Sequence, residues 1–181
     1  MAVSSPTAPD WDIAQWFNHS GDLALADLRG RVVVAAAFQM LCPGCVERTI
    51  PQLRNVRDLF TEDQVAVIGL HTVFEHHEGM GPASLAAFIQ EYRLTFPVGV
   101  DRASDNGSPI PVTMARYAMR GTPTLLLIDR SGILRRQSFG HIPDLQLGAE
   151  IMALVGEAAL PAPVTPPTPG PSCGPEGCPV D

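Results

Sequence analysis

Two pairs of closely spaced cysteines are the residues of this 181-residue chain best suited to chemistry. Cys42 and Cys45 lie in F-Q-M-L-C-P-G-C-V-E-R, and Cys173 and Cys178 lie in S-C-G-P-E-G-C-P, far along the sequence. A C-x-x-C motif serves as a redox couple, as half of a zinc site, or simply as two buried thiols. The residues around each pair help to distinguish these three interpretations.

The Cys42–Cys45 pair follows the run V-V-V-A-A-A-F, which predicts a position where a buried strand ends and a helix begins. Pro43 suits the first turn of that helix, because its missing N–H would have no partner there. A thiolate at Cys42 would face free backbone N–H groups and the positive end of the helix dipole, whereas Cys45 would lie one turn further in and more buried. This arrangement favours Cys42 as the nucleophile and Cys45 as the resolving thiol, the pair that disulfide exchange needs.

A zinc site would need two further ligands. Cys173 and Cys178 are one source, but their four-residue gap and proline-rich connection suit a closed tetrahedral site poorly. His71, His76 and His77 are another source, although nothing in the sequence places them beside the start of the helix. We therefore predict no metal and no cofactor, with a zinc site and two inert thiols as the alternatives.

The hydrophobic pattern predicts an α/β domain with a central mixed β-sheet and helices on both faces. Apolar runs predict strands at residues 31–38, 64–71, 97–100 and 124–128, and the turn D-R-S-G joins the last of these to a hairpin strand at 133–139. Amphipathic patterns predict helices at 43–60, with a kink at Pro51, and at 82–92, 113–119 and 143–159.

Composition separates a folded domain, residues 1–160, from a tail at 161–181. The tail includes eight prolines and little to bury, which predicts a semi-rigid extended segment rather than a second domain. The residues between Leu160 and Cys173 span about 40 Å when extended, enough to reach Cys42. We hypothesise that Cys173 and Cys178 relay electrons between the C-P-G-C motif and an external reductase. The alternative is a tail whose cysteines bind a metal ion or take no part in chemistry.

The net charge of −7 argues against nucleic acid and anionic membranes as partners. The first residues, M-A-V-S-S-P-T-A-P-D-W-D, lack the basic and apolar regions of a signal peptide, and the longest apolar run is too short to cross a bilayer. We therefore expect a cytoplasmic protein. In that reducing compartment a C-x-x-C motif is more often catalytic or metal-binding than structural.

About eighty residues after Cys42, the segment G-T-P-T-L-L-L-I-D-R-S-G places a proline directly before an apolar strand. Together with the C-x-x-C motif and the segment F-I-Q-E-Y-R-L-T-F-P-V-G-V-D, it resembles the thioredoxin fold. Within that fold, residues 11–160 resemble the redoxin group of TlpA- and ResA-like thiol–disulfide oxidoreductases and AhpC/TSA peroxiredoxins. The resemblance implies a three-layer sandwich.

The resemblance also implies roles for individual residues. Pro123 would be a cis-proline packed beside the disulfide, and the Thr122 backbone would pair with a bound substrate chain. Pro43 and Gly44 would belong to the substrate-binding surface. The expected partner is a disulfide-containing protein or a small thiol or disulfide.

Two departures from the thioredoxin pattern bear on proton transfer and substrate contact. Leu41 stands where an aromatic residue usually precedes the first cysteine, and Ala36 replaces the buried carboxylate that thioredoxin carries. Another group must then take the proton from Cys45. Glu75 in H-T-V-F-E-H-H-E is our candidate, Glu78 is the second choice, and a loop that is merely polar is the third interpretation.

A peroxiredoxin carries P-x-x-x-T/S-x-x-C around its peroxidatic cysteine. The corresponding positions here are Ala35, Gln39 and Cys42, so both the proline and the hydroxyl are missing. We therefore predict a thiol–disulfide oxidoreductase. The sequence leaves the direction of electron flow open, and the reducing poise of the cytoplasm favours a reductant. A thiol peroxidase and a non-enzymatic redox-sensing or metal-binding module are the alternatives.

Overall fold

The strand that precedes the C-x-x-C motif is one of the two central strands of the sheet in the computed structural model, which describes residues 6–157. Strand β2 (Val32–Phe38) lies between β3 (Val65–His71), to which it is parallel, and β5 (Thr124–Ile128), to which it is antiparallel. Every residue of these three strands is buried. Their continuous apolar runs fit this position, because a strand covered on both faces has no side for polar residues.

The sheet has six strands in the order β1-β4-β3-β2-β5-β6. The remaining strands are β1 (Ile13–Phe17), β4 (Val98–Asp101) and β6 (Leu134–Phe139), and the helices are α1 (Ile50–Leu59), α2 (Pro82–Glu91), α3 (Val112–Arg116) and α4 (Asp144–Gly156). Strands β1 and β6 are antiparallel to their neighbours, whereas β4 is parallel to β3. The predicted mixed sheet is confirmed.

Side chains that alternate along β2 pack into two separate hydrophobic cores. One core joins Val32, Val34, Ala36 and Phe38 to apolar side chains of α1, α2 and α4. The other joins Val33, Ala35 and Ala37 to side chains of α3 and of the chain before β1. The predicted three-layer α/β architecture is therefore confirmed.

The helix after the motif begins at Pro43 and includes a π-helical turn, Cys45–Thr49, before α1. In that turn the N–H of Ile50 donates to the carbonyl oxygen of Cys45. Pro51 explains the wider turn, because a proline cannot donate and its ring clashes with the carbonyl four residues back in a regular α-helix. The disturbance predicted at Pro51 thus takes the form of a π-helical turn.

The structure differs from the prediction in two other elements. Strand β1 was not predicted, and the helix expected at 113–119 is only the short α3, because Ala118 adopts a positive φ of 47° just beyond it. The expected domain boundary at residue 160 and the tail lie outside the described residues. Within residues 6–157, no helix has the length and hydrophobicity needed to span a membrane.

Candidate active site

The C-x-x-C motif lies at the carboxyl end of β2, where the chain turns into the π-helical turn. Both cysteines are free thiols; Cys42 is half-buried, whereas Cys45 is completely buried in the core beneath α1. The backbone N–H of Cys45 lies 3.3 Å from Cys42 Sγ and also donates to the Cys42 carbonyl oxygen at 3.0 Å. Cys42 is therefore the partly exposed residue of the pair.

The loop before β5 brings Pro123 against the motif. The Thr122–Pro123 peptide bond is cis, as the family resemblance implied. The Cys42 thiol donates to the Thr122 carbonyl oxygen at 3.6 Å, and a Cβ placed on Gly44 would lie 3.7 Å from Pro123 Cδ. The fold thus unites the two motifs that the sequence separates by about eighty residues. Pro43 lies exposed at the start of the helix.

Cys45 is held in its protonated form. Burial and, to a smaller extent, the neighbouring Cys42 together raise the pKa of the Cys45 thiol to about 12. Ala36, at the position of thioredoxin's carboxylate, is completely buried and offers no proton acceptor. A resolving role for Cys45 therefore needs a base from another part of the site.

The loop that carries Glu75 and Glu78 contacts the motif through Leu41. Both glutamates are exposed. Glu78 lines an open depression together with Leu41, His76, His77 and Gly79, and Glu75 is not among its lining residues. Glu78 thus shares a surface with the residue before Cys42, whereas the proton-shuttle role proposed for Glu75 stays a prediction.

The variants Glu75→Gln and Glu78→Gln test that prediction. If one of these carboxylates takes the proton of Cys45, its loss should slow resolution of a Cys42 mixed disulfide roughly 100-fold near neutral pH. The defect should shrink as the pH rises, because hydroxide then replaces the missing base. Stopped-flow decay of the mixed disulfide measures the step. Unchanged rates in both variants would assign the loop to the polar surface alone.

His71 and Gln39 are buried polar side chains beside the site, and the sequence did not reveal their burial. His71 is only 1% exposed, and its ring lies 5.4 Å from that of Phe38. Neither His71 Nε2 nor Gln39 Nε2 has a hydrogen-bond partner among the described residues. Burial lowers the pKa of His71 to about 4, so the imidazole is neutral at physiological pH. Nowhere in residues 6–157 do three His, Cys, Asp or Glu side chains converge as metal ligands would.

The buried His71 should make stability depend on pH. Its pKa is about 4 in the folded protein and near 6.5 when unfolded, so the unfolded state gains the proton first as the pH falls. The contribution of neutral His71 to the free energy of unfolding is complete above pH 6.5 and is lost between pH 6.5 and 4. Between pH 7.5 and 5 the free energy of unfolding should fall by about 2 kcal/mol. In urea unfolding at those two pH values, His71→Leu should lack this loss, and the exposed control His141→Leu should keep it. Equal pH dependence in wild type and His71→Leu would contradict the assignment.

Two side chains beside the Thr122–Pro123 loop were not predicted from the sequence to belong to the site. Phe139, at the end of β6, is 54% exposed, and its Cε2 lies 3.0 Å from the Cβ position of Gly121. The Arg120 guanidinium lies 5.5 Å from the centroid of the Phe139 ring. The Gly140 N–H donates to the Pro123 carbonyl oxygen at 2.8 Å, which ties the end of β6 to the loop. The sequence feature that could have indicated this pair is Arg120, which directly precedes the G-T-P-T segment.

A mixed sheet of this topology, with a C-x-x-C motif after the central strand and a cis-proline facing it, defines a protein of the thioredoxin fold. Comparison with known proteins then places the chain within that class. A model of the AhpC/TSA family matches residues 6–137, and the chain belongs to this family.

Solved structures agree with this assignment. A crystallised thioredoxin-like superfamily protein is 61% identical over 85% of this chain and 99% of its own, with a TM-score of 0.82. A thiol-disulfide isomerase from Corynebacterium glutamicum is 45% identical over 85% of this chain and 98% of its own, with a TM-score of 0.81. An exposed lipoprotein thioredoxin from Streptococcus pneumoniae, 18% identical over 81% of this chain and 100% of its own with a TM-score of 0.60, shares the fold alone. A search of curated proteins finds no match.

These findings support a thiol–disulfide oxidoreductase-like family and do not favour the peroxidase alternative. At the position of the peroxiredoxin hydroxyl, Gln39 presents a buried amide instead.

Proposed function

We propose that the protein is a thiol–disulfide oxidoreductase that exchanges electrons through the Cys42–Cys45 couple. The observation that carries this proposal is the pairing of an accessible Cys42 sulfur with a buried, protonated Cys45 beside the Thr122–Pro123 loop. The 45% identity to a thiol-disulfide isomerase supports it independently.

In the reductive direction, the Cys42 thiolate attacks one sulfur of a substrate disulfide. A Cys42–substrate bond forms as the substrate S–S bond breaks, and the first substrate thiolate leaves and takes up a proton. Cys45 then loses its proton and attacks Cys42 Sγ, which forms the Cys42–Cys45 disulfide and releases the second substrate thiolate. Two electrons thus pass to the substrate, and a thiol reductant must restore the couple.

The Thr122 backbone supports substrate binding in this scheme. Its carbonyl oxygen lies within 3.6 Å of Cys42 Sγ, so a substrate chain pairing with this residue would bring its disulfide to the nucleophile. Gly44 approaches Pro123, and Pro43 precedes it at the exposed start of the helix. We propose a disulfide-containing protein or a small disulfide as substrate, and a cytoplasmic setting in which the couple runs as a reductant.

Insulin reduction and peroxide consumption, measured side by side, test the proposal. With dithiothreitol as reductant, the protein should accelerate insulin precipitation and consume hydrogen peroxide no faster than a simple thiol does. Rapid peroxide turnover without insulin reduction would overturn the proposed function in favour of a thiol peroxidase. Absence of both activities would favour a non-enzymatic module.

A further inference from the structure

We infer that the surface beside Cys42 docks residues 172–181 of the same chain, S-C-G-P-E-G-C-P-V-D, as an intramolecular redox partner. This inference rests on the proposed function of the Cys42–Cys45 couple, and it names the partner of that couple. The segment itself lies outside the described residues. The receiving surface consists of Leu41, Phe139 and Arg120, hereafter the docking surface.

Exposed apolar side chains lie on the residue before Cys42 and against the loop that contacts it. Leu41 is 59% exposed and directly precedes Cys42, and its Cδ1 lies 3.6 Å from the Cβ position of Gly79, beyond β3. Phe139 is exposed on β6, beyond β5, and contacts Gly121. Since β2 lies between β3 and β5, the two side chains contact segments that follow or precede the strands on opposite sides of β2. Such exposed side chains beside a reactive sulfur suit an extended chain that carries a cysteine.

Arg120 gives the docking surface a preference for acidic residues. Its guanidinium lies over the exposed Phe139 ring, and it has no ion-pair partner within residues 6–157. Arg135 and Arg136 on the neighbouring β6 are both paired with carboxylates. A guanidinium that lies on an aromatic face keeps its N–H donors available for a carboxylate.

The proposed occupant matches Arg120 in charge, and it matches Leu41 and Phe139 in apolar character. Residues 158–181 include no lysine, arginine or histidine. Glu176 lies between Cys173 and Cys178, and Asp181 follows them. The prolines and Val180 of this segment are apolar, as Leu41 and Phe139 are. Glu176 would form an ion pair with Arg120 while the sulfur of Cys173 or Cys178 approaches Cys42.

The described end of the chain lies within reach of the site. Arg135 donates to both carboxylate oxygens of Glu157, at 2.6 and 2.9 Å, and to Asp129 at 3.1 Å. Glu157 is thereby held next to Asp129, which follows β5, whereas Pro123 precedes β5. The strand separates Asp129 from Pro123 by six residues, or about 20 Å. The 16 residues from Glu157 to Cys173 extend to about 50 Å. Such a tether gives an effective concentration of about millimolar.

The electron transfer balances within the chain. A thiolate of the C-terminal pair attacks Cys42 Sγ of the oxidised couple, so that the Cys42–Cys45 bond breaks and Cys45 takes up a proton. The second C-terminal thiolate then attacks the C-terminal sulfur that is bonded to Cys42. This step forms the Cys173–Cys178 disulfide and releases Cys42, which takes up a proton and becomes a thiol. Two electrons and two protons pass from the C-terminal pair to the couple. An external dithiol reductant then reduces the Cys173–Cys178 disulfide.

Disulfide trapping in the full chain tests the inference. In a Cys45→Ser background, mild oxidation should join Cys42 to Cys173 or Cys178, identified by peptide mass spectrometry, at a rate independent of protein concentration. Arg120→Glu should slow this rate about fivefold, and the double variant Arg120→Glu/Glu176→Arg should restore it. The exposed control Arg54→Glu on α1 should leave the rate unchanged. Equal rates in all four proteins, or no such disulfide, would overturn the inference.

A second measurement separates failure of the docking from failure of the proposed function. Cys173→Ser/Cys178→Ser should still reduce insulin when dithiothreitol restores the couple directly. Retained insulin reduction without a trapped disulfide would overturn only the docking. Loss of insulin reduction in both this variant and the wild type would overturn the proposed function itself.

Discussion

Cys42→Ser should lower the turnover of insulin reduction by a factor on the order of 1000, because it removes the accessible sulfur of the couple. Cys45 cannot replace it. Burial raises the pKa of Cys45 to about 12 and leaves no solvent-exposed surface for a substrate disulfide to approach. The expected result is therefore a folded protein with no measurable exchange. A residual rate above a tenth of the wild-type rate would contradict the assignment of Cys42 as the nucleophile.

Cys45→Ser should give a different phenotype. The first attack by Cys42 remains, so one equivalent of substrate thiol should appear in a burst, and a mixed disulfide on Cys42 should then accumulate. Continued turnover in this variant with Cys173 and Cys178 also replaced by serine would show that Cys45 does not resolve the intermediate. Because a buried hydroxyl destabilises an apolar core, Cys45→Ala should be compared with it, and thermal unfolding should confirm that both variants are folded.

The sequence was sufficient for the position of the couple because the signals there are local. The run V-V-V-A-A-A-F marks a strand buried on both faces, and Pro43 marks the start of a helix. The contact of this motif with Thr122 and Pro123 is not local. It was expected only from the family resemblance, and it depends on the antiparallel pairing of β2 with β5.

Features that depend on tertiary packing could not be predicted. Strand β1, I-A-Q-W-F, lies at the sheet edge and is partly exposed, so its hydrophobic pattern is weak and its pairing with β4 defines it. His71 ends an apolar strand, where a polar residue usually reaches solvent. It is buried because Phe88 of α2 stacks on Phe38, which in turn contacts the His71 ring. Nothing in the residues next to His71 reveals this cover.

Asp101 links the sheet to α3 and should contribute strongly to stability. This residue ends β4 and is 5% exposed. Its two carboxylate oxygens accept the N–H groups of Thr113 at 2.8 Å and Met114 at 3.0 Å. Helix α3 has only five residues, too few to be stable alone, so the carboxylate supplies partners for its first free donors. Burial raises the pKa of Asp101, while these hydrogen bonds oppose that rise.

Asp101→Leu should therefore lower the free energy of unfolding by about 3 kcal/mol, because two buried N–H donors lose their acceptors. Asp101→Asn keeps one acceptor oxygen and should cost less. Urea unfolding measures both, with Asp105→Asn on the exposed loop as a control that should change stability by less than about 0.5 kcal/mol. Because the chain after α3 leads directly to Thr122 and Pro123, Asp101→Leu should also slow insulin reduction. A loss below about 1 kcal/mol would show that water replaces the carboxylate and that α3 does not depend on it.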